Sequence, residues 1–294
     1  MTETLSVIWT DHRGIPWDLT TGDRGVRLEL DQEGLGWAPI KHVYDGTAWR
    51  SASVGTVVPK LRVIFDAHLR GEDFYRLHSE WWEQANSPFH PGTLAVKRPG
   101  KLPRTVRARL GTEPDTSHRY DPGLPGYERP PELWALTTED SWWAGSPQTA
   151  TFTPGQVGIA SGTPFYGTSG AGWPLNIGSS AAAEDAFLSN DGVGPMWPVW
   201  TITGPAAFPR VGTAEGQLAY SGVIAAGEQI TIDTNPAHRR AWEESTGESR
   251  WSLVSGTWAP IPVGERVPLV LVAESMSAAS SISVTASAQY AQGF

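Results

Sequence analysis

The chain has 294 residues, a net charge of −9 and a pI near 5.3, with 39% hydrophobic and 18% charged residues. That balance buries a core, argues against wholesale disorder and makes nucleic-acid binding by counterion release unfavourable. Cysteine is absent, which excludes disulfides, thiolate metal sites and cysteine nucleophiles.

The length allows one large or two ordinary domains. Met1 to Val7 has neither a basic nor an apolar region of the secretory kind, and no run reaches the roughly 18 apolar residues of a membrane span. Synthesis and folding in a cytoplasm, without membrane insertion, are therefore expected. Glycine and proline number 32 and 24, which suits short strands and turns better than long helices. Fifteen tryptophans are several times the usual frequency. Rings that each bury roughly 150–250 Å² belong in cores, in subunit interfaces or under sugars.

Leu5 to Trp9 reads as an opening strand, broken by the turn at Asp11 to Gly14. Val26 to Leu30 alternates apolar and charged residues, as a strand with one wet face does. Leu61 to Phe65 is a third strand. Gly71 to Ala85 is the one helix: Asp73 is placed to cap it, Phe74, Leu77, Trp81 and Ala85 share a face, and Asn86-Ser87-Pro88 stops it. Tyr75, His78 and Trp82 make a neighbouring stripe. Gly92 to Arg98 and Thr105 to Leu110 form a hairpin, with Val106, Ala108 and Leu110 on one side and Arg107 and Arg109 on the other. Residues 111–131, rich in glycine, proline and charge, predict a projecting arm. Glu132 to Thr138 returns as a strand, and a boundary falls near residue 148.

Thr149 to Phe152 opens the second half, followed by a passage rich in glycine, serine and alanine to residue 185. Asn190 to Pro195 gathers turn formers, and Val199 to Thr203 is a strand closed by Gly204-Pro205. Leu218 to Ile224 and Gly227 to Thr234 follow as strands. Val267 to Ala273 is nearly all apolar, hence expected to be buried. The last strand puts Ile282, Val284, Ala286, Ala288 and Tyr290 on one face. This order is that of a β-sandwich, so the fold class is mainly β (α+β) with one helix.

Motifs for chemistry are near misses. Gly167-Thr168-Ser169-Gly170-Ala171 lacks the last glycine of a nucleophile elbow. Gly34-Leu35-Gly36 and Gly170-Ala171-Gly172 complete no dinucleotide fingerprint, and no Walker A sequence exists. The seven histidines (His12, His42, His68, His78, His90, His118, His238) have no metal-ligand spacing. Glycoside cleavage needs two convergent carboxylates; Glu132, Glu139, Asp140, Glu243, Glu244 and Glu248 are candidates in number only. No catalytic residue, cofactor or metal is assigned. Trp242 with Arg239 and Glu243 has the make-up of a sugar platform, an aromatic face flanked by charged hydroxyl partners.

Three stretches carry a family resemblance: Asn190 to Pro205 around "WPVWTITGP", Gly227 to Thr234 ("GEQITIDT") and Trp258 to Ser275 around "PIPVGERVPLVLVAES". In order and spacing they resemble the C-terminal half of siphophage distal tail (Dit) proteins, also filed as phage tail or minor tail proteins. Trp134-Ala135-Leu136 and Trp142-Trp143-Ala144-Gly145 match the end of that family's N-terminal domain. The match is strongest over 185–290 and weaker over 1–148. It departs at Gly264-Glu265-Arg266, which lacks the asparagine often found in this turn, and the family's sugar-contacting positions find no counterpart.

The resemblance implies a non-enzymatic virion protein at the tail tip. A β-rich domain over 1–148 would form a homohexameric ring, and a galectin-like β-sandwich over 149–294 would project from it. Implied partners are other copies of the chain, the tail tube protein, the tail hub and receptor-binding proteins, with DNA passing through the centre. Six copies at −9 total −54, a field that would keep DNA from sticking to a channel wall it lined. Trp81, Trp82, Arg104, Arg107 and Arg109 are the expected ring contacts. The alternative is a carbohydrate-binding, module-like protein that attaches the tail to host surface glycans through Trp242, Arg239 and Glu243.

Overall fold

A computed structural model describes residues 4–29, 35, 39–56, 58–112, 118, 120–125, 127–153 and 187–293. Gly34 and Gly36, the whole of Gly170-Ala171-Gly172 and the elbow-like Gly167 to Ala171 lie outside the described residues; Leu35 is described and buried in the first unit's core. The chain divides into two compact units, Met1–Ser146 with Gln289–Phe294, and Pro147–Ala288. The fold is mainly β, and no helix among the described residues is long and apolar enough to cross a membrane.

The first unit contains β1 (Ser6–Thr10), β2 (Pro16–Asp18), β3 (Val26–Leu28), β4 (Ile40–Asp45), β5 (Ala48–Val54) and β6 (Lys60–Phe65). Helix α1 (Gly71–Ser79) follows, continued by a π-helical turn over Glu80–Ala85. Then come β7 (Gly92–Lys97), β8 (Arg104–Leu110), β9 (Glu132–Thr138) and β10 (Trp143–Ala144). One antiparallel sheet runs β2-β1-β7-β8-β9-β6-β3. The Leu28 N–H donates to the Leu19 carbonyl just beyond β2 at 2.8 Å, so the ends of this strand order nearly meet and the sheet is barrel-like. Closing a sheet in this way hides most of its edge groups.

The inside is unusually aromatic. Trp9, Trp17, Trp81, Trp134 and Trp143 are fully buried among Leu19, Leu61, Phe74 and Leu94. Trp81 meets Trp17 and Trp134 edge-on, each at 5.1 Å between centroids, the geometry that ring quadrupoles favour. The helix buries Phe74, Leu77, Trp81 and Ala85, the face that its spacing predicts. Its cap differs from expectation. Arg70 is the N-cap residue and its side chain caps nothing, donating instead to the Ala67 and Leu69 carbonyls, while Asp73 sits inside the first turn and pairs with Arg76 at 3.0 Å. The last carbonyls of a helix have no intrahelical partner. Indole and amide groups take them: Trp9 Nε1 donates to the Ala85 carbonyl (3.0 Å) and Asn86 Nδ2 to that of Trp81 (2.9 Å). Trp134 Nε1 in turn donates to Asn86 Oδ1 at 2.7 Å.

The arm expected at 111–131 is tied back where it is described. The buried Arg129 guanidinium donates to the carbonyls of Asp66, Leu69 and Pro122 at 2.9–3.2 Å. Gly71 N–H reaches the Gly123 carbonyl at 3.0 Å, and Tyr75 bonds Asp121. A cation buried against carbonyls, each hydrogen-bonded, substitutes here for an apolar core that periodicity would have revealed.

The second unit contains β11 (Gln148–Phe152), β12 (Phe187–Ser189), β13 (Val199–Thr203), β14 (Ala206–Thr213), β15 (Gln217–Tyr220) and β16 (Val223–Ile224). They are followed by β17 (Gln229–Asp233), β18 (Arg240–Glu243), β19 (Val254–Gly256), β20 (Arg266–Glu274) and β21 (Ser281–Ala286). One sheet runs β11-β21-β13-β17-β18 and the other β12-β20-β14-β15-β19, with β16 paired to β14. Trp200, Ile202, Ile230, Ile232, Ile282 and Val284 are buried on the first; Leu188, Val211, Leu218, Tyr220, Val267 and Leu269 are buried on the second. Two sheets with one apolar face each make a sandwich.

Two expectations change here. In β20 only Val267 and Leu269 are buried, and Val272 is 37% exposed, because the strand alternates and nothing among the described residues covers its outer face. The long closing strand is interrupted. β21 ends at Ala286, and β22 (Gln289–Tyr290) pairs instead with β10 of the first unit. The alternation of Ile282 to Tyr290 is real, but two different sheets use it.

Candidate functional site

The hairpin β4–β5 is the feature least used by its own unit. It forms a separate two-stranded sheet, and every side chain from Ile40 to Ser53 among its strand residues is exposed. Tyr44 and Trp49 are 60% and 58% exposed, and Ile40 and Val43 are nearly half exposed. A two-stranded hairpin is marginal alone in water, and exposed apolar side chains gathered on one element make it a candidate interaction surface. Sequence reading missed it: residues 40–54 contain no clean apolar alternation, because only the last strand residue, Val54, packs against the unit's core.

The five expected ring contacts are distributed differently. Trp81 is wholly inside its own core. Trp82 is half-buried and donates its Nε1–H to Glu132 Oε2 at 2.6 Å. Arg104 lies 3.8 Å above the Tyr290 ring and donates to the Gln292 carbonyl at 2.9 Å, clamping the chain's end to β8. Arg107 and Arg109 both pair with Glu139, the former at 3.3 Å. Arg107 stays largely exposed, so its charge is still presented outward.

The trio read as a sugar platform is separated by strand geometry. Trp242 and Glu243 are successive residues of β18 and point to opposite faces. Arg240, not Arg239, covers the Trp242 ring at 4.0 Å, while Arg239 lies 5.0 Å from the Trp258 ring. Trp258 stacks on the partly exposed Trp251 at 5.2 Å and 19°. Glu243 accepts from Ser245 (2.6 Å), Thr246 (3.1 Å) and Arg250 (2.8 Å). The Ser245 hydroxyl first, then Arg250, holds its carboxyl below the usual carboxylate range. Glycosidic general acids need the opposite shift. Glu228 and Glu248 also approach Arg250, at 3.5 and 3.3 Å, so the acids gathered here serve one guanidinium.

A cluster with no sequence signature lies in the first unit. His78 of α1, His118 and Glu132 at the start of β9 converge on one point. His78 Nε2 is 3.1 and 3.2 Å from the two Glu132 oxygens, and His118 Nε2 is 2.9 Å from Oε1. The residues are 54 and 14 positions from Glu132, spacings that no local motif could have flagged.

No family model matches the chain, and no curated protein does. Solved structures do. The Dit protein (gp 19.1) of phage SPP1, described as a paradigm of hub adsorption apparatus in phages infecting Gram-positive bacteria, matches with a TM-score of 0.55 and 12% identity. The match covers 97% of this chain and 98% of that one. Chains of the phage P2 baseplate in its activated conformation, with calcium and with strontium, match with a TM-score of 0.52 at 13% and 12% identity. Each covers 96% of this chain and 98% of its own. From end to end, this chain has the fold of the SPP1 Dit protein.

Proposed function

We propose that this protein is a structural component of a siphophage tail tip, a ring, hexameric by the family resemblance, that joins the tail tube to the hub or baseplate and leaves a central passage for DNA. The observation that carries this reading is the length of the fold match: both units correspond in one chain, with almost nothing left over on either side. A domain shared by chance would match in one unit only. The exposed β4–β5 hairpin supplies a physical means of assembly, since its aromatic side chains gain burial only from another chain. The second unit, a galectin-like sandwich by resemblance, would hold receptor-binding or baseplate components. No bond-making or bond-breaking step belongs to this role.

The test is assembly. Light scattering on the purified chain, with negative-stain microscopy, should find closed rings of six as concentration rises or when the tube protein is added. Gold-labelled antibody should mark the tail tip of virions. A chain that stays monomeric with tube and hub proteins present, and is missing from purified particles, refutes the proposal.

The stacked Trp251–Trp258 pair favours a second role, glycan contact by the sandwich. A glycan array separates the two: saturable sugar binding lost on Trp251→Ala supports contact with host glycans, and its absence removes that role without touching the ring.

A further inference from the structure

We propose that His78, His118 and Glu132 form a three-ligand site for a divalent transition metal ion of the zinc class. The three side chains come from a helix, a loop and a strand, yet their ligand atoms all lie within 4.8 Å of one another. Glu132 Oε2 is fixed by the Trp82 Nε1–H at 2.6 Å. Its Oε1 lies beside both imidazole Nε2 atoms, 3.2 Å from that of His78 and 2.9 Å from that of His118. Ligands about 2.0–2.1 Å from a tetrahedral zinc ion sit roughly 3.3 Å from each other, so small shifts suffice to seat the ion.

The surroundings match such a site. The Glu132 side chain is 2% exposed and His118 nearly buried, while His78 is open enough to admit an ion and a fourth, water ligand. Trp82 acts as the outer group that orients the ligating carboxylate, a function whose loss typically weakens metal binding about 10–100-fold. The donor set selects the metal. Two imidazoles and one carboxylate suit zinc, copper or nickel, whereas calcium takes six to eight oxygens. Bound metal would staple the His118 loop to α1 and β9. This site stands on the geometry of the first unit alone and does not depend on the tail reading.

The experiment uses the full chain, free of affinity tags and stripped with EDTA. Calorimetric titration with zinc should give one equivalent per chain, cobalt should give a visible band of tetrahedral type, and saturating zinc should raise Tm by roughly 5–10 °C. Calcium should leave Tm unchanged. His118→Ala and Glu132→Gln should each weaken zinc binding at least tenfold, and Trp82→Phe by roughly 10–100-fold, with circular dichroism confirming the fold. If Glu132→Gln does not fold, His118→Ala at its loop position decides. The stacked pair His12 and His90, 5.4 Å apart, is the control, and its double alanine variant should bind zinc as the parent does. The proposal is overturned by the lack of a saturable zinc site, by unchanged affinity in His118→Ala, by loss only in the His12/His90 variant, or by calcium stabilising as strongly as zinc.

Discussion

Replacing Tyr44 and Trp49 by serine tests whether the β4–β5 hairpin is an assembly element. The two side chains are 60% and 58% exposed. With roughly 150–250 Å² per ring, they present on the order of 240 Å² together. At about 25 cal/mol/Å², full burial by a neighbour is worth at most about 6 kcal/mol per interface, and burial of half of it about 3. Losing 3 kcal/mol lowers each subunit association constant on the order of a hundredfold. The same change should cost the isolated chain almost nothing, because exposed side chains contribute within about 0.5 kcal/mol. The assay is size-exclusion chromatography with light scattering over a concentration series, paired with thermal melts of the dilute monomer. A lower Tm with unchanged assembly would refute the reasoning, because it would assign these rings to the monomer's own stability.

Asn86→Ala should destabilise the first unit by about 2–4 kcal/mol, because it strands the Trp134 indole N–H and the Trp81 carbonyl in a dry core. Tryptophan fluorescence during urea unfolding reads this loss, and a change under 1 kcal/mol would show that water replaces the amide. Arg107→Glu with Arg109→Glu should weaken ring assembly yet shift monomer stability by only about 1 kcal/mol, since both partner the same half-exposed Glu139. Unchanged assembly in light scattering removes β8 from the interface. Folding holds the Glu243 carboxyl below its ordinary value of 4.5, so the stability it contributes is complete above that pH and declines as pH falls below it. Glu243→Gln should therefore lose stability at neutral pH and show a flatter stability curve on acidification. A parallel curve for the two proteins would contradict the linkage.

The second unit was the more legible from sequence. Val199 to Thr203 and Gly227 to Thr234 are β-branched runs between glycine turns, and each became a strand of one sheet. Helix α1 was legible for the same reason, with Phe74, Leu77, Trp81 and Ala85 at one helical period. Periodicity reports where a core lies, so elements without a core face were invisible. The β4–β5 hairpin meets the core only through Val54 at its end, and the apolar composition of β20 does not reveal whether a second layer covers it.

What the residues alone determined is the broad class: a cysteine-free, acidic, tryptophan-rich chain of short strands and one helix, because composition and period follow from local chemistry. Tertiary structure decided which groups meet. It turned Trp81 inward, set Arg239 and Glu243 apart on different neighbours, ended the closing strand at Ala286 and gave β22 to another sheet. It also brought His78 and His118 to one buried carboxylate. Such meetings depend on long-range closure of the chain, which short-range spacing does not encode.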